Sequence, residues 1–136
     1  NGIRDDAGIY RNYGVRIVGS NVPTANYLKV PNLMKALVRN INKRQKDAVE
    51  EASRAHAEFE RIHPFSDGNW RIGRMILTAM LLKNNIAPAV IKQEEKQLYY
   101  ACLRRAQLRN DPTQLEDFIC NAVEIGFEIF ERKITA

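Results

Sequence analysis

From residue 31 to the end of the chain, apolar positions recur every third or fourth residue, the spacing of helices that bury one face. Leu33, Met34, Leu37 and Ile41 share one such face, and Ala48, Ala52, Ala55, Phe59 and Ile62 share the next. Pro31 suits the opening of the first helix. Pro64 lacks a backbone donor and pushes its predecessor out of helical geometry, so the second helix should stop close to His63. Ser66-Asp67-Gly68-Asn69 then offers turn and N-cap chemistry, and a third helix should run from Trp70 to Asn84. Leu98, Cys102, Leu103 and Ala106 mark a fourth helix. Leu115, Phe118, Ile119, Ala122, Val123, Gly126 and Phe130 mark the last.

Upstream of Pro31 the pattern changes to short alternating runs broken by turn residues. Val15-Arg16-Ile17-Val18 suits a strand, Gly19-Ser20-Asn21-Val22-Pro23 a turn, and Tyr27-Leu28-Lys29-Val30 a returning strand. A lone hairpin is marginal in water, so this one should lean on the helices or pair with an incoming strand. The expected class is therefore all-α, a compact helical bundle with a small β-hairpin near the N-terminus. At 136 residues it is expected to be a single domain, 1–136.

Composition narrows the function classes. With 45% hydrophobic and 27% charged residues the chain reads as globular. The formal charge of +5 comes from 21 Lys and Arg spread among 16 acidic residues, without a basic stripe interleaved with aromatics, so no nucleic-acid partner is expected. The longest apolar run, Met75 to Leu82, is broken by Thr78 and flanked by Arg74 and Lys83; it reads as a buried core helix, with no membrane span. Cys102 and Cys120 fall inside helical patterns without metal-ligand spacing, which predicts small buried hydrophobes in a reducing cytoplasm. The first residue is Asn rather than Met, which leaves room for a preceding regulatory segment.

One stretch concentrates chemistry. His63-Pro64-Phe65-Ser66-Asp67-Gly68-Asn69-Trp70-Arg71-Ile72-Gly73-Arg74 runs from the end of one helix through a tight loop into the next. A helix N-terminus presents unpaired N–H groups and partial positive charge, a ready anion site, and Gly68 lets the backbone come close. Arg71 and Arg74, one turn apart, can reach the same polyphosphate. Asp67 can hold a Mg²⁺ ion that bridges phosphates, and His63 can take a proton from an attacking hydroxyl at neutral pH. Singly, these residues also suit a cap, a turn and a solvated face; their order selects phosphate-ester transfer. His56, two turns before His63, reads as a packing group.

The same stretch closely resembles the Fic/Doc signature, His-Pro-Phe-x-Asp/Glu-Gly-Asn-Gly-Arg-x-x-Arg. His63, Pro64, Phe65, Asp67, Gly68, Asn69, Arg71 and Arg74 fit, and Trp70 stands where the family usually has its second glycine. Similarity extends to Tyr10-Arg11, Val15-Arg16-Ile17 and Gly19-Ser20, which look like the family's flap, and to Tyr99-Tyr100-Ala101-Cys102-Leu103, which resembles its nucleotide-side helix.

The resemblance implies a Fic fold with a flap over about residues 14–31, a catalytic loop over 63–74, and transfer of AMP from ATP to a Ser, Thr or Tyr of a target protein. By position, His63 matches the general base, Asp67 the Mg²⁺ ligand and Phe65 the loop's apolar anchor. Gly68, Asn69, Trp70, Arg71, Arg74, Tyr99 and Tyr100 fall to nucleotide binding, with Asn69 at the α-phosphate. Val15, Arg16, Ile17 and Val18 would line up the target by strand addition. The Doc branch carries lysine at the Trp70 position and moves the γ-phosphate, so a Doc-like protein kinase and a degenerate nucleotide-binding module are the alternatives. Many relatives are restrained by a Ser/Thr-x-x-x-Glu helix that pairs with the arginine matching Arg74. This chain lacks the pattern, which leaves the restraint to a missing segment or a separate inhibitory partner, or leaves none.

Overall fold

The computed structural model describes residues 4–43 and 46–135, which form five α-helices. Helix α1 (Val30–Ile41) opens with Pro31 in its first turn. Helix α2 (Ala48–Ile62) is capped by Asp47, whose carboxylate accepts from the Val49 and Glu50 amides, while Glu50 and Glu51 complement the positive end of the helix dipole. It ends one residue before Pro64, with His63 in the left-handed region at φ 49°, as the proline requires a break there. Helix α3 (Asn69–Lys83) follows the loop, α4 (Lys96–Arg109) stops at left-handed Asn110, and α5 (Thr113–Thr135) closes the order.

Helix α2 is the axle of the bundle: α1, α3, α4 and α5 all pack against it. Phe59, Ile62, Leu81, Tyr99, Leu115 and Ile119 are fully buried around it. The apolar faces read from the sequence are these faces, with exceptions at their margins. Met75, Leu82, Leu98 and Phe130 are exposed, because the run around Met75 turns one side of α3 outward and α5 extends beyond the core. Cys102 is buried as expected, whereas Cys120 faces solvent. Among the described residues no helix is long and apolar enough to cross a membrane.

The expected β-hairpin is not present: no described residue is in a strand. Val15 to Val18 are irregular, ending in a turn in which the Ser20 amide donates to the Ile17 carbonyl. Tyr27–Lys29 is a 3₁₀ turn capped by Asn26, whose side chain accepts from the Leu28 amide, and Val30 already belongs to α1. Side chains do the work a ladder would do: the Thr24 hydroxyl donates to the Val15 carbonyl at 2.7 Å. With no third strand to pair, the hairpin alone does not form.

Two glycines permit the closest approaches. A Cβ on Gly73 would meet the Glu60 carboxyl oxygen at 2.1 Å, so α3 crosses α2 where only glycine fits over that side chain. A Cβ on Gly126 of α5 would meet the Pro88 carbonyl at 2.0 Å. The two obstacles differ in kind, one a side-chain end and the other backbone. Gly73→Ala should therefore destabilise by about 1–3 kcal/mol and be largely rescued by Glu60→Ala in a double-mutant cycle. Gly126→Ala should destabilise as much or more without rescue by Glu60→Ala. Urea midpoints of the four variants check this; additive effects of Gly73→Ala and Glu60→Ala would count against it.

Candidate active site

The site forms where α2 ends and α3 begins. An α-helix leaves its last carbonyls without intrahelical partners. Here two of them, on Arg61 and Ile62, and the two carbonyls that follow the helix, on His63 and Pro64, are taken by the N-terminal segment. The Ala25 amide donates to Arg61 O at 3.1 Å and the Arg11 amide to Pro64 O at 2.9 Å. The Arg11 guanidinium donates to Ile62 O at 3.0 Å through Nη2 and to His63 O at 2.7 Å through Nε. The same guanidinium reaches Ala25 O at 2.6 Å and Tyr13 O at 2.8 Å. Arg11 is only 4% exposed, and its guanidinium donates to four carbonyls, whose dipoles at a helix C-terminus favour a cation.

His63 stands at this junction, half-buried, with Nδ1 turned inward and without a full hydrogen bond. Burial lowers its pKa from 6.5, the Arg11 charge lowers it further, and the Glu60 carbonyl one turn back opposes the shift only in part. The imidazole is therefore neutral at pH 7 and able to accept a proton, and Nε2 is the nitrogen left to do so.

Across the loop, α3 starts without a side-chain cap: Gly68 occupies the N-cap position at φ 78°, so the Ser66-Asp67-Asn69 capping expected from sequence is absent. Those side chains brace the loop instead. Asn69, 2% exposed, accepts from the Phe65 amide and donates to the Phe65 carbonyl, both at 2.9 Å. Its side-chain oxygen and one of its two amide hydrogens are thus engaged on the loop. Asp67 is exposed, with one oxygen accepting from the Gly68 amide. Phe65 packs against the core and against Tyr10 at 5.7 Å between ring centres. Arg71 folds back until Nη2 lies 3.5 Å from where a Gly68 Cβ would stand.

A cavity of about 520 Å³ opens over this loop, lined by Phe65, Ser66, Asp67, Gly68, Arg71 and the N-terminal stretch Arg4 to Gly8. Asp6 accepts from Ser66 and pairs with Arg4, and both contacts hold its carboxyl below the usual range. Among the described residues no three His, Cys, Asp or Glu side chains cluster as a metal site. The lone exposed carboxylate of Asp67 still fits Mg²⁺ arriving with a nucleotide, since that ion draws most of its ligands from phosphates and water.

The remaining predicted nucleotide residues part company. Trp70 is half-buried, its ring 5.0 Å from Tyr99, 5.6 Å from Tyr100 and 6.2 Å from His56, and the Arg74 guanidinium lies 5.5 Å over it. Arg74 is thus held by a cation–π contact one turn from Arg71. Tyr99 is fully buried, and Tyr100 keeps some exposure. In the flap segment Val18 is wholly exposed, Arg16 is exposed, and Val15 and Ile17 are half-buried.

Beneath the site lies a buried polar group that the sequence reading left as packing or missed. His56 Nδ1–H donates to Gly73 O at 2.9 Å and its bare Nε2 accepts from the Tyr99 hydroxyl, fixing one neutral tautomer; burial brings its pKa down to about 4. Glu60 is buried with Oε1 unpartnered, and burial raises its pKa to about 7. The polar spacing Ser53, His56, Glu60 on an otherwise apolar helix face was the available signal.

The comparisons agree with this geometry. The family model described as Fic/DOC family matches residues 1–81, and the chain belongs to that family. A probable protein adenylyltransferase of Aquifex aeolicus is 35% identical over 99 residues, 72% of this chain and 30% of that protein. Protein adenylyltransferase Fic of Drosophila mojavensis is 27% identical over 128 residues, 92% of this chain and 25% of that protein. Among solved structures, a Fic-1 fragment from C. elegans superposes with a TM-score of 0.81 at 25% identity, covering 95% of this chain and 38% of that one. A Fic family protein from Desulfovibrio desulfuricans gives 0.80 at 26%, covering 99% and 44%. The chain therefore spans less than a third of these curated relatives.

Between about pH 4.5 and 7 the folded chain keeps a proton on Glu60 that the unfolded chain has lost, so this group's contribution to stability falls as pH rises through that window. Glu60→Gln abolishes that loss. Its stability relative to wild type should rise by about 3 kcal/mol from pH 4.5 to 7.5, measured by urea unfolding. A pH-independent difference would mean that Glu60 is ionised in the fold.

Proposed function

We propose that this chain is the catalytic core of a protein adenylyltransferase, which moves AMP from ATP to a Ser, Thr or Tyr hydroxyl of a target protein. The observation that carries the reading is the pairing of a neutral, half-buried His63 with an uncapped helix N-terminus and Arg71 across one loop. The adenylyltransferase names of the relatives support it.

The target hydroxyl would lose its proton to His63 as its oxygen bonds to the α-phosphorus. The bond from that phosphorus to the bridging oxygen breaks, and pyrophosphate leaves. The α3 amides behind Gly68 and the Arg71 guanidinium stabilise the charge that develops on phosphate oxygens. Asp67 would hold Mg²⁺, which when bound neutralises the leaving phosphates. Asn69 supports the reaction by keeping Phe65, and with it the loop, in place. The irregular segment carrying Val15, Arg16, Ile17 and Val18 would receive the target, its open backbone taking the place of the expected strand edge. A cytoplasmic setting, which supplies ATP and keeps Cys102 and Cys120 reduced, suits this activity.

With ATP labelled separately at the α and γ phosphates, protein targets should acquire only the α label. His63→Ala should lower that transfer by about a hundredfold or more while ATP affinity stays within about twofold. Label from γ would establish the kinase alternative instead.

Trp70 occupies the position of a usual glycine and holds Arg74 against its ring. Trp70→Gly should free that guanidinium for the phosphates, tightening ATP binding and raising α-phosphate transfer. Loss of a half-buried indole and of helix propensity should cost about 3 kcal/mol or more. Calorimetric titration with ATP, beside a thermal melt, checks both. Weaker binding by a folded variant would make the indole part of the nucleotide's seat.

A further inference from the structure

We propose that Arg11 is a positioning residue for the transfer reaction: one buried guanidinium joins the target-receiving segment to the backbone of the general base, setting where a docked hydroxyl stands relative to the His63 ring. The proposal rests on the reading of His63 as that base.

The geometry is specific to this role. His63 is a non-glycine residue at φ 49°, an uncommon conformation for a residue with a Cβ, here at the C-cap of α2. Its own carbonyl and both neighbouring ones, Ile62 and Pro64, are gripped by Arg11 at 2.7, 3.0 and 2.9 Å. The same side chain fixes Tyr13 and Ala25, which bracket Val15 to Val18 in sequence. Thus the base and both ends of the target segment share one rigid planar group. An arginine present only to balance charge would face a carboxylate; this one ends on four carbonyls from two parts of the chain. Lysine has one nitrogen and cannot span them. The guanidinium also acts on the base through charge, as the cation that helps keep His63 neutral from the segment packed across it; the Glu60 carbonyl on the base's own helix acts the other way.

Arg11→Lys and Arg11→Gln separate these effects. In both, kcat for α-phosphate transfer should fall by about tenfold to a hundredfold, the scale of a misplacement near 1 Å, while KM for ATP stays within about twofold. The His63 ring titration, followed by NMR, should remain near wild type in Arg11→Lys, which keeps the charge, and move upward in Arg11→Gln. Unchanged kcat in folded Arg11→Lys would overturn the proposal. So would a His63 titration that ignores Arg11→Gln, or a loss shared equally by kcat and ATP affinity. Should both variants fail to fold, the wild-type protein decides: the Arg11 Nε–H should exchange with solvent as slowly as core amides of α2, and fast exchange would overturn the tie. Transfer that survives His63→Ala would sink the assignment of the base alone, since the titration and exchange measurements do not depend on activity.

Discussion

The last two carbonyls of α2, Arg61 and Ile62, and the two that follow the helix, His63 and Pro64, have no helical partners, and the N-terminal segment donates to all four. A helix end left bare inside a protein is costly, so this contact decides more than a local cap. It brings Arg11, Tyr13 and Ala25 across the junction, and it holds His63 in the left-handed turn that aims the chain into the loop. His63, the segment that follows Arg11 and the loop that opens α3 thus meet because one helix has to stop.

The two helix ends facing the loop are treated in opposite ways. The C-terminus of α2 is saturated with donors, while the N-terminus of α3 has no side-chain cap, because Asn69 is engaged with Phe65 and Asp67 bonds only the adjacent Gly68 amide. An unsaturated helix N-terminus is a standing invitation to an anion. Nearby polar side chains that would normally close it are diverted into bracing, which keeps the loop stiff and its amides available. Trp70 modifies the rim of this arrangement without entering the brace, since its ring lies with Tyr99 and Tyr100 on the far side of α3's first turn.

The sequence revealed the helices well because their signals are local: Pro31 and Pro64 mark limits by covalent structure, and the faces around Leu37 and Phe59 repeat at helical spacing. The site loop was readable for the same reason, as its residues are contiguous. What escaped depends on distance along the chain. Arg11 carries no local mark of its contacts at the junction, because the His63 and Ile62 carbonyls it meets there are more than fifty residues away. Val15 to Val18 alternate like a strand, yet a strand exists only if a partner chain does, and alternation cannot report the partner. Burial, too, is a property of the packed bundle that local spacing does not report: Asn69 braces Phe65, and Tyr99 lies inside the core.

The contact between Gly73 and Glu60 lies away from the loop, yet it governs the aim of the arginines. At Gly73 α3 approaches α2 to the point where a single methyl group would collide with the carboxyl, so the packing there limits how the helix can roll about its long axis. Arg71 and Arg74 ride on that helix, so their compass bearing is set by a contact elsewhere on its circumference. The placement of both guanidiniums is then open to tuning by substitutions that never touch them, through a few degrees of helix azimuth.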